Sequence, residues 1–130
     1  METTNYKYAG VTEKIIGCAM KVHRYFGLGF PEVVYQRALI IELEKLCLKC
    51  GAQVEKDIYY EDHFISKRRL DLIVEDKILI ELKAVSELDK ACHNQIINYL
   101  KVFKIEVGLL LNFGTESLQF RRFVNTQTAQ

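Results

Sequence analysis

Asp71, Glu81 and Lys83 are the residues of this chain whose types and spacing could do chemistry together. Asp71 lies in the run Arg69-Leu70-Asp71-Leu72-Ile73-Val74, and Glu81 and Lys83 in Ile78-Leu79-Ile80-Glu81-Leu82-Lys83, with only Glu75, Asp76 and Lys77 between the two. Side chains alternate between the faces of a strand. Leu70, Leu72 and Val74 then point one way and Asp71 and Ile73 the other, while Ile78, Ile80 and Leu82 oppose Leu79, Glu81 and Lys83. If both apolar rows enter one core, Val74 pairs with Ile78 and Asp71 falls opposite Glu81. Opposed residues have Cβ atoms roughly 4.5–5.5 Å apart, where like charges are destabilising. Something positive should sit between them. Lys83 on the same face could screen the pair; a hard divalent cation with an activated water could use all three groups. A solvated hairpin face carries the same residue types, and spacing alone leaves both readings open.

Other candidates stand further off. Glu32 follows Pro31 at a helix start, where a carboxylate also simply favours the helix dipole. Tyr35 lies one turn along the same helical face. Gln95 and Tyr99 share a face of a later helix, and Gln95 falls within an apolar stripe, where an unpaired amide is costly. It needs a specific partner, and the backbone of a neighbouring loop would serve. Cys47-Leu48-Lys49-Cys50 has no second pair of matching spacing, which argues against zinc or a cluster. His23, His63 and His93 show no metal-ligand spacing, although His93 borders the later helix's stripe and could approach the acids. The basic runs Lys67-Arg68-Arg69 and Arg121-Arg122 could meet phosphates or be solvated edges.

The elements that must position these groups follow from periodicity. Ile15, Ile16, Ala19, Met20, Val22 and Phe26 predict an amphipathic helix over 12–26, with Thr12 as N-cap and Gly27 as stop. Pro31 suits the first position of a second helix marked by Val34, Ala38, Ile41 and Leu46, which ends before Gly51. The period then changes, and 54–61, 63–66, 70–74 and 77–83 read as short strands. Leu88, Cys92, Ile96, Tyr99, Leu100 and Phe103 predict a third helix over about 87–103. The nearly continuous apolar run 107–113 predicts a strand covered on both faces, and 118–124 an edge strand. Strand, helix and strand in that order make a crossover, so 77–83 and 107–113 should lie parallel and side by side or nearly so. The class is α/β with a mixed sheet, two N-terminal helices and one crossover helix.

Size and composition agree with that class. One hundred and thirty residues, 49% hydrophobic and with a single proline, suit one domain over 1–130, with flexible ends expected at 1–11 and 125–130. No apolar run approaches the ~20 residues of a membrane span, and the polar start Met1-Glu2-Thr3-Thr4-Asn5 is unlike a secretory signal. The cytoplasm is the expected compartment, with the four cysteines reduced. A net charge of +1 predicts no polyanion partner from global electrostatics.

Asp71 followed by Glu81-Leu82-Lys83 on the next strand resembles the signature of the PD-(D/E)XK nuclease superfamily, and Gln95 with Tyr99 resembles the Q-x-x-x-Y feature of its RecB-like branch. Gly29-Phe30-Pro31-Glu32-Val33-Val34-Tyr35 is similar to the motif of the small bacterial GxxExxY proteins. The similarity extends over roughly 13–124, nearly the whole chain. It implies a restriction-endonuclease-like fold and a Mg²⁺-dependent nuclease, with Mn²⁺ as substitute. Asp71 and Glu81 are then the direct metal ligands, with the Leu82 carbonyl as third and Glu32 reaching the metal directly or through water. Lys83 orients the attacking water or stabilises charge on the phosphate, and Tyr35 supports the site. Gln95, Tyr99 and Arg69 are expected to support it or contact phosphates. The resemblance makes nucleic acid the partner, with a homodimer as an option where one small domain meets a duplex. A nucleic-acid-binding or protein-interaction module that keeps the fold without the reaction is the alternative.

Overall fold

The structure, a computed structural model, describes residues 8–125. Its elements run α1 (Ala9–Phe26), α2 (Glu32–Lys45), β1 (Cys50–Tyr60), β2 (His63–Val74), β3 (Ile78–Lys83), α3 (Lys90–Val102), β4 (Val107–Asn112) and β5 (Gln119–Val124). The strands form one sheet in sequence order, β1 to β5. β3 and β4 are parallel, as the crossover demands, and the other neighbours are antiparallel. Among the described residues no helix is long and apolar enough to cross a membrane.

Alternation along the strands sorts two cores. Leu72, Val74, Ile78, Ile80, Leu82, Val107, Leu109 and Leu111 pack with Ile15, Ala19, Tyr35, Leu39 and Leu43 of α1 and α2. Leu79 and Leu110 meet Ile96 and Leu100 of α3 on the opposite face. Three layers result, helices on both sides of the sheet, which is why β4 is buried along its whole length. Leu70 departs from the expected pattern: it joins the α3 side instead of the row of Leu72 and Val74. The pairing runs from Ala52–Leu72 to Val54–Leu70 in one register and leaves out Gln53, whose φ of 51° is left-handed, so the β1–β2 ladder is interrupted opposite Asp71.

Several expected boundaries move. The two short strands 63–66 and 70–74 are one strand, because Lys67, Arg68 and Arg69 pair with Asp57, Lys56 and Glu55 across a hairpin exposed on both sides. No buried face is needed to hold such a ladder, so no alternation marks it. Thr12 does not cap α1, which begins at Ala9; its hydroxyl donates to the Ala9 carbonyl at 3.0 Å. Pro31 is the N-cap of α2 and not its first residue. Asp89 caps α3 by accepting from the Cys92 N–H at 3.0 Å, so that helix starts later than 87. Of the flexible ends, 1–7 and 126–130 lie outside the described residues, but residues 9–11 are helical and Asn125 is buried, its amide donating to the Leu100 carbonyl at 2.9 Å. The β2–β3 turn closes with a Lys77 N–H to Val74 carbonyl bond of 3.0 Å and positive φ at Glu75 and Asp76 (56° and 58°). Lys49 supports that unfavourable backbone through its N–H on the Glu75 carboxylate (2.7 Å) and its ammonium on Asp76 (2.9 Å).

The segment after β3 is held by one buried amide. Asn112, fully buried, accepts from the N–H groups of Val85 and Gly114 and donates to the Val85 carbonyl and the Gln119 side chain, each at 3.0 Å. Gly114 is pressed so close that an added Cβ would lie 2.3 Å from the Val85 nitrogen. Gly114→Ala is therefore expected to destabilise by about 3 kcal/mol, read as a fall of roughly 10 °C in Tm. A Tm within experimental error of the parent would contradict this packing.

Candidate active site

The acids meet where the sheet opens. β2 and β3 form a regular ladder from Val74–Ile78 to Leu72–Ile80, and beyond it side chains take over the bonding. The Leu82 N–H donates to Asp71 Oδ2 at 2.9 Å, and the Asp71 N–H donates to Glu81 Oε2 at 3.4 Å. Each carboxylate stands where a backbone carbonyl of the neighbouring strand would be. The two carboxyls are thereby brought close enough for each to act on the ionisation of the other.

Burial governs their electrostatics. Glu81 is only 4% exposed, and desolvation, reinforced by the charge of Asp71, pushes its pKa up to about 8. Asp71 is also raised by desolvation, opposed by the Leu82 N–H, the Lys83 charge and its bond to Glu81. Physically, two desolvated carboxyls in contact hold a proton between them until a cation replaces it. Lys83 lies half-buried nearby and favours the ionised form of both acids. The expected constellation of Asp71, Glu81 and Lys83 thus converges in space.

The α2 N-terminus approaches the same point from the other layer. Glu32 is raised by desolvation and by Asp71 and lowered by Lys83, which places its carboxyl within their field. Tyr35 serves Glu32 indirectly. Fully buried, it donates its hydroxyl to the Gly27 carbonyl at 2.6 Å, accepts from the Phe30 N–H at 3.3 Å and stacks on Phe113 at 4.6 Å between ring centroids. It pins the α1–α2 turn, where Gly29 has φ 103°, and so fixes where α2 starts. Tyr35→Phe is expected to keep the stack, lose the two turn bonds and cost about 1–2 kcal/mol in a thermal melt.

The remaining candidates lie outside this contact. Gln95 finds its partner on its own helix, donating to the Tyr99 hydroxyl at 3.3 Å; among the described residues no neighbouring loop captures it. Arg69 is exposed on β2 opposite Glu55, two residues from Asp71. His93 packs beside Phe123 on β5, two strands from Glu81. The four cysteines are free, and burial raises the Cys50 thiol to about 11. Gln36 is the residue that sequence reasoning missed: 9% exposed, it donates to the Asp71 carbonyl at 2.8 Å and ties α2 to the strand that carries the acid. Its signal was faint, one amide next to Tyr35 on a helix of weak amphipathicity.

The donor set fits a hard metal ion. Among the described residues no group of three or more His, Cys, Asp or Glu side chains converges as a cage. Mg²⁺ asks for no cage, taking one or two carboxylates and filling its remaining positions with water and phosphate oxygen. Asp71 and Glu81 offer that pair, whereas soft metals would want Cys or His.

The five-stranded mixed sheet with acids at its opening, flanked by three helices, is a restriction-endonuclease-like α/β fold. Residues 9–123 match the PD-(D/E)XK nuclease superfamily, and the chain belongs to it. Proteins of this superfamily generally use divalent metals and act on nucleic acid. No curated protein shows significant similarity to the chain. Among solved structures it is similar to one described as the crystal structure of SSO0001, with 25% identity, 74% of this chain covered and a TM-score of 0.48. The chain covers 53% of that protein's length.

Proposed function

We propose that the chain is a Mg²⁺-dependent nuclease of the bacterial GxxExxY branch that hydrolyses phosphodiester bonds of DNA or RNA. The observation that carries the reading is the convergence of two acids on adjacent strands, Asp71 accepting from the Leu82 N–H at 2.9 Å and the buried Glu81 from the Asp71 N–H at 3.4 Å, with Lys83 next along β3. Asp71, Glu81 and the Leu82 carbonyl would hold the ion, which when bound would supply Lewis-acid charge to the phosphate and to the attacking water. Lys83 steadies that water and the charge growing on the phosphate. Glu32 accepts a hydrogen bond from water at the site, and its raised pKa suits it to take a proton there. The Gln95–Tyr99 pair and Arg69 contact the substrate's phosphates. The new O–P bond forms as the bond to the leaving oxygen breaks, with a solvent proton completing the alcohol. One domain over 1–130 does this, as a homodimer on duplex substrates and in the cytoplasm, to which four free cysteines are suited.

Incubation with labelled single- and double-stranded DNA and RNA, with Mg²⁺, Mn²⁺ or EDTA, tests the proposal. Cleavage should need the metal and vanish in Asp71→Ala and Lys83→Ala. Cleavage that survives either substitution would sink it. The near balance of charge, +1 overall, favours the second reading of a binding module that keeps the fold. The two part on thermal stability in millimolar Mn²⁺, which should rise for a metal site and stay unchanged for a module without one.

A further inference from the structure

The β1–β2 hairpin outruns the sheet. β3 meets β2 only at Leu72, Ile73 and Val74, so the ladder from Glu55–Arg69 out to Tyr60–His63 stands as a two-stranded arm. Its two faces differ in charge. On one, the register sets Glu55 against Arg69 and Asp57 against Lys67, the latter pair 3.4 Å apart. On the other, Lys56 is directly opposite Arg68. Like charges in that position weaken a ladder, and among the described residues neither forms an ion pair with a carboxylate. The Arg68 guanidinium turns back on its own strand, to the Ser66 hydroxyl at 3.0 Å and the Lys67 carbonyl at 2.8 Å.

Lysines on an edge can serve merely to discourage sheet-to-sheet association. This pair has a more specific setting. Lys56 lines a cleft of about 780 Å³ whose other walls carry Lys101 and Lys104 at the end of α3 and Lys77 before β3. Two acids share the cleft: Asp76, already paired with Lys49 at 2.9 Å, and Glu106, which accepts from the Tyr8 hydroxyl at 3.1 Å. Positive charge is in excess, and it is continuous with Lys56 and Arg68 on the arm. Ile73, which also lines the cleft, lies two residues from Asp71 on β2, and Arg68 lies three residues from it on the other side.

We propose that this track, Arg68 and Lys56 leading into the cleft of Lys77, Lys101 and Lys104, binds the sugar–phosphate backbone of a nucleic acid strand. The proposal rests on the nuclease reading for why a strand should pass there. Phosphates supply the negative charge that the Lys56–Arg68 pair lacks within the fold. The neutralised face of the arm takes no part.

Binding without turnover tests it. The full chain in EDTA is titrated against short fluorescein-labelled single-stranded and duplex DNA, read by anisotropy over a range of salt. Lys56→Gln with Arg68→Gln should weaken binding about tenfold or more at low salt. It should also flatten the log–log salt dependence by roughly 0.7–0.9 for each phosphate that is no longer neutralised. Lys14→Gln with Lys45→Gln, an equal change in net charge on the helices, should leave the salt slope unaltered. Lys56→Glu guards against misfolding: an opposite-charge pair with Arg68 should hold or raise Tm while binding falls further. A loss on either probe supports the track and shows which form of DNA it takes. Track variants that bind both probes like the helix control, or a parent chain with no salt-dependent binding, overturn it. Loss of binding in the track variants of a parent that never cleaves would sink the nuclease reading alone. Full cleavage and full binding in those variants would sink the track alone.

Discussion

Glu81→Gln is expected to lower metal-dependent cleavage by about a thousandfold or more while leaving the metal-free protein at least as stable as the parent. Coordination of a reacting phosphate or water supplies several kcal/mol of transition-state stabilisation, and every ~1.4 kcal/mol lost slows the reaction tenfold. Stability should move the other way because of where Glu81 sits. The side chain is 4% exposed and touches Asp71, so ionisation places a second buried negative charge beside the first. A neutral amide of the same shape keeps an oxygen for the Asp71 N–H, now met at 3.4 Å by Glu81 Oε2, and removes the like-charge repulsion. At pH 8 in EDTA the variant's Tm should equal or exceed the parent's. Cleavage within tenfold of the parent would remove Glu81 from the reaction. A marked loss of Tm would mean that the carboxylate holds the strands together rather than straining them.

Without metal, the protein should grow less stable as pH rises from about 4.5 to about 8, the opposite of the usual behaviour of carboxylates. Glu81 has its pKa raised from 4.5 to about 8, chiefly by desolvation. Between those values the folded chain keeps a proton that the unfolded chain has released, so the stabilisation is complete below the lower value and lost as pH passes the upper. Asp71 and Glu32 are raised as well, again by desolvation first, and act in the same direction. The lowered acids Glu42, beside Lys21 and Lys45, and Asp89, at the Cys92 N–H, act at lower pH. The loss should reach a few kcal/mol, since each tenfold difference in proton affinity between the folded and unfolded chain is worth about 1.4 kcal/mol. Melting curves in EDTA between pH 5 and pH 9 read it directly, and Glu81→Gln should flatten them. Mg²⁺ must displace the shared proton, so the stabilisation it confers should grow with pH over the same range. A flat or rising Tm in EDTA, unaltered by Glu81→Gln, would show that burial does not tie the two carboxyls to one proton.

Much of this site could be read along the chain, for a physical reason. Strand side chains alternate strictly, so the apolar rows at 72–74 and 78–82 and the short turn between them leave one register that buries both, and that register brings Asp71 to Glu81. The crossover likewise follows from a helical period placed between two strand periods, and β3 and β4 are parallel neighbours. Both are short-range rules acting on adjacent segments. The tertiary structure decided the rest. Gln36 reaches the Asp71 carbonyl across 35 residues, Asn112 holds Val85 across 27, and Tyr35 spends its hydroxyl on the Gly27 turn rather than on the acids. No periodicity encodes such bonds, because they depend on which layers happen to be pressed together. The placing of Leu70 on the α3 side is similarly invisible, since in sequence it shares the parity of Leu72 and Val74. The charged run 67–69 read as a break because an arm with no core beneath it needs no alternation; only its pairing with 55–57 shows that it is strand.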